Sequence, residues 1–339
     1  MKCDKINTYF VIKIGEKIMD NNLLQKYSAI AQEIQSEVRK VVLGKDDIIE
    51  KILATALAGG HVLLDDIPGV GKTTLALAFS YATSMDYHRM QFTPDVLPSD
   101  VTGFSVYDKK TDSFIYKEGV AICNLFLADE INRTSSKTQS ALLEIMEEGK
   151  VTVDGINHTL PQPYVVIATQ NPIGSVGTQM LPDSQLDRFM VCVSMGYPSM
   201  ADEISILKGR QKVNPLNDVK AVATKEDIMA MKDIVSEVYT DDKIYEYIAA
   251  ISDETRKSEM LKLGLSPRGS LALARAARAV AFLHGRDYVI PDDVAFIFFD
   301  VATHRVVVSA KAKISGATTK EILAGILEKV PAPKLTQGK

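Results

Sequence analysis

The chain has 339 residues, 46% of them hydrophobic and 24% charged, which suits a globular protein of two domains. A formal net charge of -4 at pH 7 excludes a global basic field, so nucleic acid is not an expected partner. Cys3, Cys123 and Cys192 are far apart and lack metal-ligand spacing, which predicts no disulfide framework and favours a reducing cytoplasm. No apolar run reaches the roughly 18 residues that a membrane span requires.

The predicted elements begin with a weakly patterned leader over residues 1–26. Amphipathic helices that pack against the next domain are predicted to follow it. From His61, short apolar runs alternate with longer amphipathic stretches, which is typical of an α/β domain with a mostly parallel sheet. We therefore predict an α/β core over residues 27–198. Its predicted strands cover residues 61–64, 88–92, 124–128, 164–169 and 191–195.

Two hairpins are predicted within this core. The dipeptide Asp154-Gly155 is a strong turn signal between β-prone residues, and residues 108–112 form a second turn. The strands that these turns connect are predicted at residues 151–153, 157–160, 104–107 and 113–116.

The strand signals stop after Met200, and helical patterns follow. This change predicts an all-helical domain over residues 199–333, with a frayed tail over residues 334–339. The predicted helices cover residues 202–210, 225–238, 241–252, 268–284, 291–299 and 319–329.

A glycine-rich loop follows the first predicted strand and precedes a predicted helix. Gly69 and Gly71 allow the backbone to curl so that its N–H groups and the helix N-terminus face an anion. Lys72 is then placed to reach the β- and γ-phosphates of a nucleotide, and the Thr73 hydroxyl is placed to ligate Mg²⁺. We therefore predict a nucleotide-binding P-loop that consists of Pro68, Gly69, Val70, Gly71, Lys72, Thr73 and Thr74.

Adjacent carboxylates, Asp129 and Glu130, end another predicted strand. Carboxylates at the carboxyl edge of a buried strand are costly unless a cation is present, and Mg²⁺ supplies that cation. In this interpretation Asp129 holds the metal and Glu130 polarises the water that attacks the γ-phosphate. The alternative is that the pair only caps the next helix, and the P-loop upstream favours the catalytic interpretation.

Two further polar residues are candidates for the site. Asn171 follows the strand predicted over residues 164–169, where its amide can orient the water or sense the γ-phosphate. Its alternative role is to cap a turn before Pro172. Arg188 ends a short predicted helix just before the last strand, from which an arginine can reach a neighbouring subunit's nucleotide. Its alternative role is a surface salt bridge.

Taken together, these motifs resemble the MoxR family of AAA+ ATPases over roughly residues 34–330. The resemblance rests on the P-loop and on residues 91–95, 98–100, 129–133, 168–172, 186–189 and 266–269. It implies a P-loop AAA+ core with an all-helical lid domain, and ATP and Mg²⁺ as cofactors. By this resemblance Asn171 is sensor 1, Arg188 is the arginine finger, and Arg268 is sensor 2, which contacts the γ-phosphate from the lid. The adenine is expected beside Val42, Leu43 and Gly44.

The chain departs from the family pattern in places that affect details of the site. Asp66 stands where the strict P-loop pattern has glycine, and Lys45 replaces a glutamine beside the expected adenine pocket. Residues 119–121 replace a Gly-Pro-hydrophobic step. Arg133 competes with Arg188 for the role of finger because it also lies near the sheet edge, and the sequence leaves this choice open.

The two predicted hairpins resemble the helix-2 insert and the pre-sensor-1 hairpin of this AAA+ clade, which face the channel of a ring. The resemblance implies a ring, with a hexamer expected. It also implies a chaperone-like motor that remodels protein clients or inserts metal with a von Willebrand factor A domain partner. One alternative is a helicase-like DNA motor, which DNA-stimulated, salt-dependent hydrolysis would favour. Another is a nucleotide-gated scaffold, which measured turnover would exclude.

Overall fold

The structure is a computed structural model that describes residues 21–171, 181–209 and 214–334. Most of the predicted leader and residues 335–339 of the predicted tail lie outside these ranges. Within them, no helix combines the length and the apolar character that crossing a membrane requires.

A parallel sheet of five strands forms the centre of the α/β domain, in the order β2-β5-β8-β1-β9. Each strand overlaps one of the five predicted segments, so the prediction of a parallel sheet is confirmed. The edge strands are β2 and β9, β1 leads into the P-loop, and β5 and β8 carry the predicted polar site residues Asp129 and Asn171 at their ends. The strands of this domain are β1 (Val62–Asp65), β2 (Tyr87–Gln91), β3 (Gly103–Asp108), β4 (Ser113–Glu118), β5 (Leu125–Asp129), β6 (Lys150–Val153), β7 (Ile156–Thr159), β8 (Val165–Gln170) and β9 (Val191–Val193).

Helices cover both faces of this sheet, because successive strand residues are buried on opposite sides. Val62 and Leu64 belong to one hydrophobic cluster, whereas Leu63 belongs to another that includes Leu142 and Leu143 of the fifth helix. The helices of this part of the chain are α1 (Asn21–Arg39), α2 (Asp46–Leu57), α3 (Lys72–Thr83), α4 (Pro98–Thr102), α5 (Ser136–Glu148), α6 (Asp183–Leu186) and α7 (Met200–Gly209).

Helix α1 includes residues 21–26 of the predicted leader. Its Leu24 side chain is buried, so this part of the chain packs with the rest of the helix. Ile34 and Val38 are also fully buried, and the helix packs against α2 and α3. The apolar periodicity continues N-terminal to the predicted boundary.

Both predicted hairpins are present. β3 pairs with β4, and β6 pairs with β7 through the turn at Asp154 and Gly155, whose φ values of 51° and 77° match a two-residue hairpin turn. The hairpins touch each other, because the Tyr116 ring stacks on the His158 ring at a centroid distance of 3.7 Å. They therefore form one raised surface beside the sheet.

The C-terminal region is helical and shares a core with the sheet. Ala276 and Phe298 of this region belong to the same buried cluster as Val62 and Ile167 of the sheet. Its helices are α8 (Lys225–Glu237), α9 (Asp242–Lys257), α10 (Pro267–Leu283), α11 (Pro291–Ala302), α12 (Ala310–Ser315) and α13 (Thr319–Lys329). A short antiparallel ladder that the sequence did not predict joins β10 (Leu261–Leu263) to β11 (Val307–Val308).

Candidate functional site

The P-loop lies between β1 and α3, where the sequence predicts it. Gly69 and Gly71 have φ values of 87° and 99°, which favour glycine. A Cβ at either position would meet no atom of the described residues within 4 Å, so the space beside the loop can admit a ligand. The N-terminus of α3 begins at Lys72, directly after Gly71, and its unpaired N–H groups suit an anion.

Lys72 is a buried cation with carboxylates around it. Its side chain is only 7% exposed, and its Nζ donates a hydrogen bond to the Asp66 carbonyl at 2.7 Å. Burial lowers the pKa of Lys72, although the nearby Asp66, Asp129, Asp65 and Glu130 carboxylates oppose this shift. An anionic phosphate would further stabilise this ammonium, so Lys72 fits the predicted role.

Asp66 has a structural role that the sequence comparison with the strict P-loop pattern did not predict. Its carboxylate is buried and accepts hydrogen bonds from the backbone N–H groups of Met195 and Gly196, the latter at 3.0 Å. Asp66 does not adopt a positive φ, so the loop does not need glycine there. The residue thus ties the start of the P-loop to the segment that follows β9.

Asp129 ends β5 beside the end of β8, as predicted. Its Oδ1 accepts a hydrogen bond from the Thr169 hydroxyl at 2.6 Å, and its Oδ2 accepts one from Arg89 at 2.7 Å. The Thr169 hydroxyl oxygen also accepts the backbone N–H of Glu130 at 2.8 Å. One buried hydroxyl therefore fixes both acidic residues relative to each other.

Glu130 occupies a strained backbone position at the site. Its φ of 58° lies in the left-handed region, which non-glycine residues adopt mainly where the surrounding structure requires it. Desolvation would raise the pKa of Glu130, but hydrogen bonds from Arg133, Asn171 and Gln91 outweigh it and hold the pKa below its usual range. Glu130 is therefore ionised at neutral pH and can act as a base.

Asn171 and Arg133 both act on Glu130 within one chain. Arg133 Nη1 donates to Glu130 Oε2 at 2.7 Å, which engages this competing finger candidate in its own subunit. Asn171 is buried, and Asn132 holds its backbone by donating to the Asn171 carbonyl at 3.1 Å and accepting its N–H at 3.3 Å. The predicted sensor 1 residue is thus fixed beside the predicted base.

The residues expected beside the adenine lie in the turn between α1 and α2. Val42 is buried, and a Cβ at Gly44 would come within 2.2 Å of the Asp202 carboxylate, so this turn packs tightly against α7. Lys45 donates from Nζ to the Tyr197 carbonyl at 2.9 Å. Leu43 lies between these contacts in sequence and is partly buried. The turn therefore adjoins the segment after β9 to which Asp66 also binds.

The ligands predicted for Mg²⁺ are side-chain oxygen atoms of residues that follow or end strands of the sheet, at its carboxyl edge. Thr73 lies in the first turn of α3, and the Asp129 carboxylate ends the strand β5. The described residues contain no cluster of three or more His, Cys, Asp or Glu side chains that could hold a metal alone. This donor set fits Mg²⁺, which typically binds one or two protein oxygens together with substrate phosphates and water.

The two remaining arginines lie at the opposite edge of the sheet. Arg188 precedes β9, and the neighbouring Met190 N–H donates to the carbonyl of His61, which precedes β1, at 2.8 Å. Because His61 and Met190 each precede a parallel strand, this hydrogen bond lies at the amino edge of the sheet. Arg188 donates to the Leu143 carbonyl at 2.8 Å and pairs with Glu147 at 3.1 Å.

The position of Arg268 bears on its predicted role as sensor 2, which contacts the γ-phosphate from the lid. Arg268 pairs with the same Glu147 carboxylate at 3.1 Å. Glu147 lies near the end of α5, about 16 Å along the helix axis from Ser136, which begins the helix after the carboxyl edge. Arg268 therefore joins Arg188 at the amino edge instead of Lys72 at the P-loop.

Comparison with known proteins agrees with this architecture. The ATPase family associated with various cellular activities (AAA) matches residues 61–191, and the AAA lid domain matches residues 253–326. Chaperone MoxR1 of Mycobacterium tuberculosis is 36% identical over 88% of this chain and 81% of that protein. The chain belongs to the MoxR family of AAA+ ATPases.

Two further relatives of this MoxR-family chain cover most of its length. The uncharacterized protein YeaC of Bacillus subtilis is 48% identical over 87% of this chain and 92% of that protein. A crystal structure of a candidate ATPase from Cytophaga hutchinsonii is 34% identical, with a TM-score of 0.85, and covers 92% of this chain and 98% of that chain.

The sequence prediction missed several residues that shape the site. Thr169, Asn132 and Arg89 fix Asp129, Glu130 or Asn171 by side-chain hydrogen bonds. Thr169 could have been found, because it is a polar residue in a buried strand two residues before Asn171. Arg305 of the lid, which binds the segment around Arg188, carries no local sequence signal.

Proposed function

We propose that this MoxR-family chain hydrolyses MgATP at the carboxyl edge of its sheet and uses the cycle to remodel protein clients. The observation that carries the proposal is the side-chain arrangement around Glu130. An ionised carboxylate, a buried amide from Asn171 and a buried ammonium from Lys72 converge beside a loop that can admit phosphates.

Each residue has a distinct role in this mechanism. The P-loop N–H groups and Lys72 bind and orient the β- and γ-phosphates, and Asn171 orients Glu130 and the attacking water. Glu130 accepts the proton of that water as it attacks the γ-phosphate, which releases ADP and phosphate. Thr73 and Asp129 would hold Mg²⁺, which when bound neutralises phosphate charge.

The proposed active site is completed by a neighbouring subunit. Arg188 and Arg268 lie together at the amino edge, where a neighbour's nucleotide can reach them in a head-to-tail ring. Arg133 is engaged with its own Glu130, which favours Arg188 as the arginine finger. Glu147 holds both arginines by exposed ion pairs, which the more highly charged γ-phosphate can replace. A hexamer is the expected closed form.

The proposed clients are proteins that the hairpin surface contacts. Phe104, Phe114 and Ile156 are large apolar side chains that are 50%, 74% and 63% exposed on these hairpins. Such an exposed apolar surface suits transient binding of unfolded or partly folded chain. The name of the relative Chaperone MoxR1 supports a chaperone-like role. A von Willebrand factor A domain partner, metal insertion and a cytoplasmic location stay predictions.

The proposal is tested by measuring phosphate release and client capture together. Purified protein should release phosphate from ATP only with Mg²⁺, and duplex or single-stranded DNA should not stimulate it. A Glu130→Gln variant held with ATP should retain a protein client in a pull-down, whereas Lys72→Ala should not. Absence of turnover in assembled protein would reject the ATPase proposal, and DNA stimulation would favour the helicase-like alternative.

A further inference from the structure

We propose that Arg305 is a positioning residue that fixes Arg188 and Arg268 as one unit for delivery to the neighbouring nucleotide. This inference rests on the proposed trans role of those two arginines. It assigns a function to a residue that lies in neither the P-loop domain nor the nucleotide site of its own chain.

The first observation is the hydrogen bonding of the Arg305 guanidinium, whose side chain is only 3% exposed. Its Nε donates to the Asp187 carboxylate at 2.7 Å. Its Nη2 donates to the carbonyls of Asp187 at 3.1 Å and Phe189 at 2.6 Å. Its Nη1 donates to the carbonyls of Met190 at 2.9 Å and Val301 at 2.6 Å.

These contacts use the full donor capacity of an arginine side chain. Four of the five acceptor atoms belong to Asp187, Phe189 and Met190, which flank Arg188 on both sides. His304 adds a hydrogen bond between its Nε2 and the Phe189 carbonyl at 3.0 Å. Arg188, the proposed finger, therefore projects from a short segment whose backbone carbonyls accept hydrogen bonds from the lid.

The second observation is that the Arg305 stem also packs against the helix that carries Arg268. A Cβ at Gly269 would come within 3.0 Å of Arg305 Cδ and within 2.5 Å of Leu265 Cδ1. Gly269 is therefore the residue that allows the first turn of α10 to approach the stem closely. Arg268 is the preceding residue of that turn, so one buried side chain contacts the segments that carry Arg188 and Arg268.

This arrangement is more specific than a general contact between domains. A buried guanidinium is costly unless all its donors are satisfied, and here a planar fork matches several carbonyls that no single ammonium could reach. Arg305 thus ties the lid to the finger segment in particular. Misplacing a transition-state contact by about 1 Å can lower turnover by about 100-fold.

Turnover of mixed variants shows whether Arg305→Ala is defective in the finger or in the P-loop. Arg305→Ala and Arg305→Lys should each lower turnover by about 100-fold, while ATP binding to their own intact P-loops stays within about threefold of wild type. When mixed with Lys72→Ala and allowed to exchange, Arg305→Ala should recover activity, because it supplies the P-loop and the partner supplies the finger. When mixed with Arg188→Ala it should not recover, because neither subunit supplies a working finger.

A mixture of Lys72→Ala with Arg188→Ala serves as the reference. If that mixture fails although co-assembly is confirmed, the trans role itself is rejected, and the inference falls with it. If the reference recovers but Arg305→Ala with Lys72→Ala does not, the Arg305 change damages the subunit generally, and the positioning role alone is rejected. Recovery of Arg305→Ala with Arg188→Ala, or full turnover of Arg305→Ala alone, rejects it as well.

Arg286→Ala is the matched control. Arg286 forms a two-pronged ion pair with the buried Asp293 in the same lid, at 2.7 and 2.5 Å, and does not contact residues 187–190. Removing it should lower the unfolding temperature to a degree similar to Arg305→Ala while turnover is retained. An equal loss of turnover in both variants would mean that lid stability, and not finger position, sets the rate.

Discussion

The two edges of the parallel sheet carry opposite halves of the proposed catalytic machinery and are built in different ways. At the carboxyl edge, Lys72, Asp129 and Glu130 are fixed by residues of the α/β domain itself, such as Thr169. At the amino edge, Arg188 and Arg268 come from different domains and meet on one carboxylate, Glu147. The first half depends on the fold of one domain, whereas the second depends on how two domains dock.

The edges also differ in how firmly they hold their charged groups. At the carboxyl edge the acidic residues are partly buried and hydrogen-bonded, and Glu130 is kept in a strained backbone conformation. At the amino edge the partly exposed Arg188 and the exposed Arg268 are held by ion pairs of about 0.2–1 kcal/mol, which a phosphate can displace. One half site is therefore held by buried hydrogen bonds, and the other is held mainly by weak ion pairs.

The largest effect is expected from Lys72→Ala at the carboxyl edge. Removal of the buried ammonium should weaken ATP binding by at least about 100-fold, because a charge-assisted contact worth about 3 kcal/mol is lost. Turnover should fall below detection. A nucleotide-binding titration measures the effect, with Lys232→Ala, a partly buried lysine of the lid, as the control that binds normally.

Glu130→Gln should separate binding from chemistry. The variant should bind ATP as wild type does but turn it over about 10²- to 10⁴-fold more slowly, because it lacks the base. Single-turnover hydrolysis measures the step. Unimpaired turnover would show that Glu130 is not the base. The carboxyl edge would then lack its proposed catalytic residue.

The pH dependence of wild-type turnover follows from the lowered pKa of Glu130. A base with a lowered pKa stays ionised until the pH falls through that value, so turnover should be half lost through this group only at a pH below the ordinary range of a glutamate pKa. Any change in wild-type turnover between pH 6 and 8 should therefore persist in the Glu130→Gln variant. A Glu130-dependent acid limb near pH 6 would contradict the assigned environment.

Thr169→Val should have an intermediate effect on the same edge. The change keeps the shape of the side chain but removes the hydroxyl that joins Asp129 to the Glu130 N–H, so turnover should fall about tenfold. Thr169→Ser, which retains the hydroxyl, should restore most of the rate. If both variants behave alike, the hydroxyl is not what positions the acidic pair.

The smallest effect is expected from Glu147→Gln at the amino edge. The Glu147 side chain is 41% exposed, so its ion pairs with Arg188 and Arg268 are weak. Losing them should change turnover by less than about fivefold. The change should also reduce the salt dependence of the rate. Glu148→Gln, an adjacent and more exposed carboxylate, is the control. A loss of 100-fold would mean that Glu147 is itself required.

The carboxyl edge could be predicted from sequence because its signals are local. Gly69, Gly71 and Lys72 lie in one loop, and Asp129 and Asn171 directly follow strands whose apolar runs are easy to identify. Parallel pairing then brings strand ends to one edge. The same reasoning predicted the five strands and both hairpins.

The amino edge could not be predicted in the same way because it depends on packing between distant segments. Arg268 opens a helix in the lid, and its sequence does not reveal which edge of the sheet that helix faces. Arg305 finds its partners at Asp187, which is 118 residues away along the chain. Asp66 similarly acts through backbone N–H groups that only the folded chain brings near.

The central claim is that each active site combines the carboxyl edge of one subunit with the amino edge of the next. It is tested most directly by measuring turnover across mixing ratios of Lys72→Ala and Arg188→Ala subunits after exchange. Each variant alone should be nearly inactive, and activity should peak at the equal mixture, where about a quarter of interfaces pair an intact P-loop with an intact finger. Activity that stays at the average of the two parents at every ratio, in rings shown to be mixed, would contradict the claim.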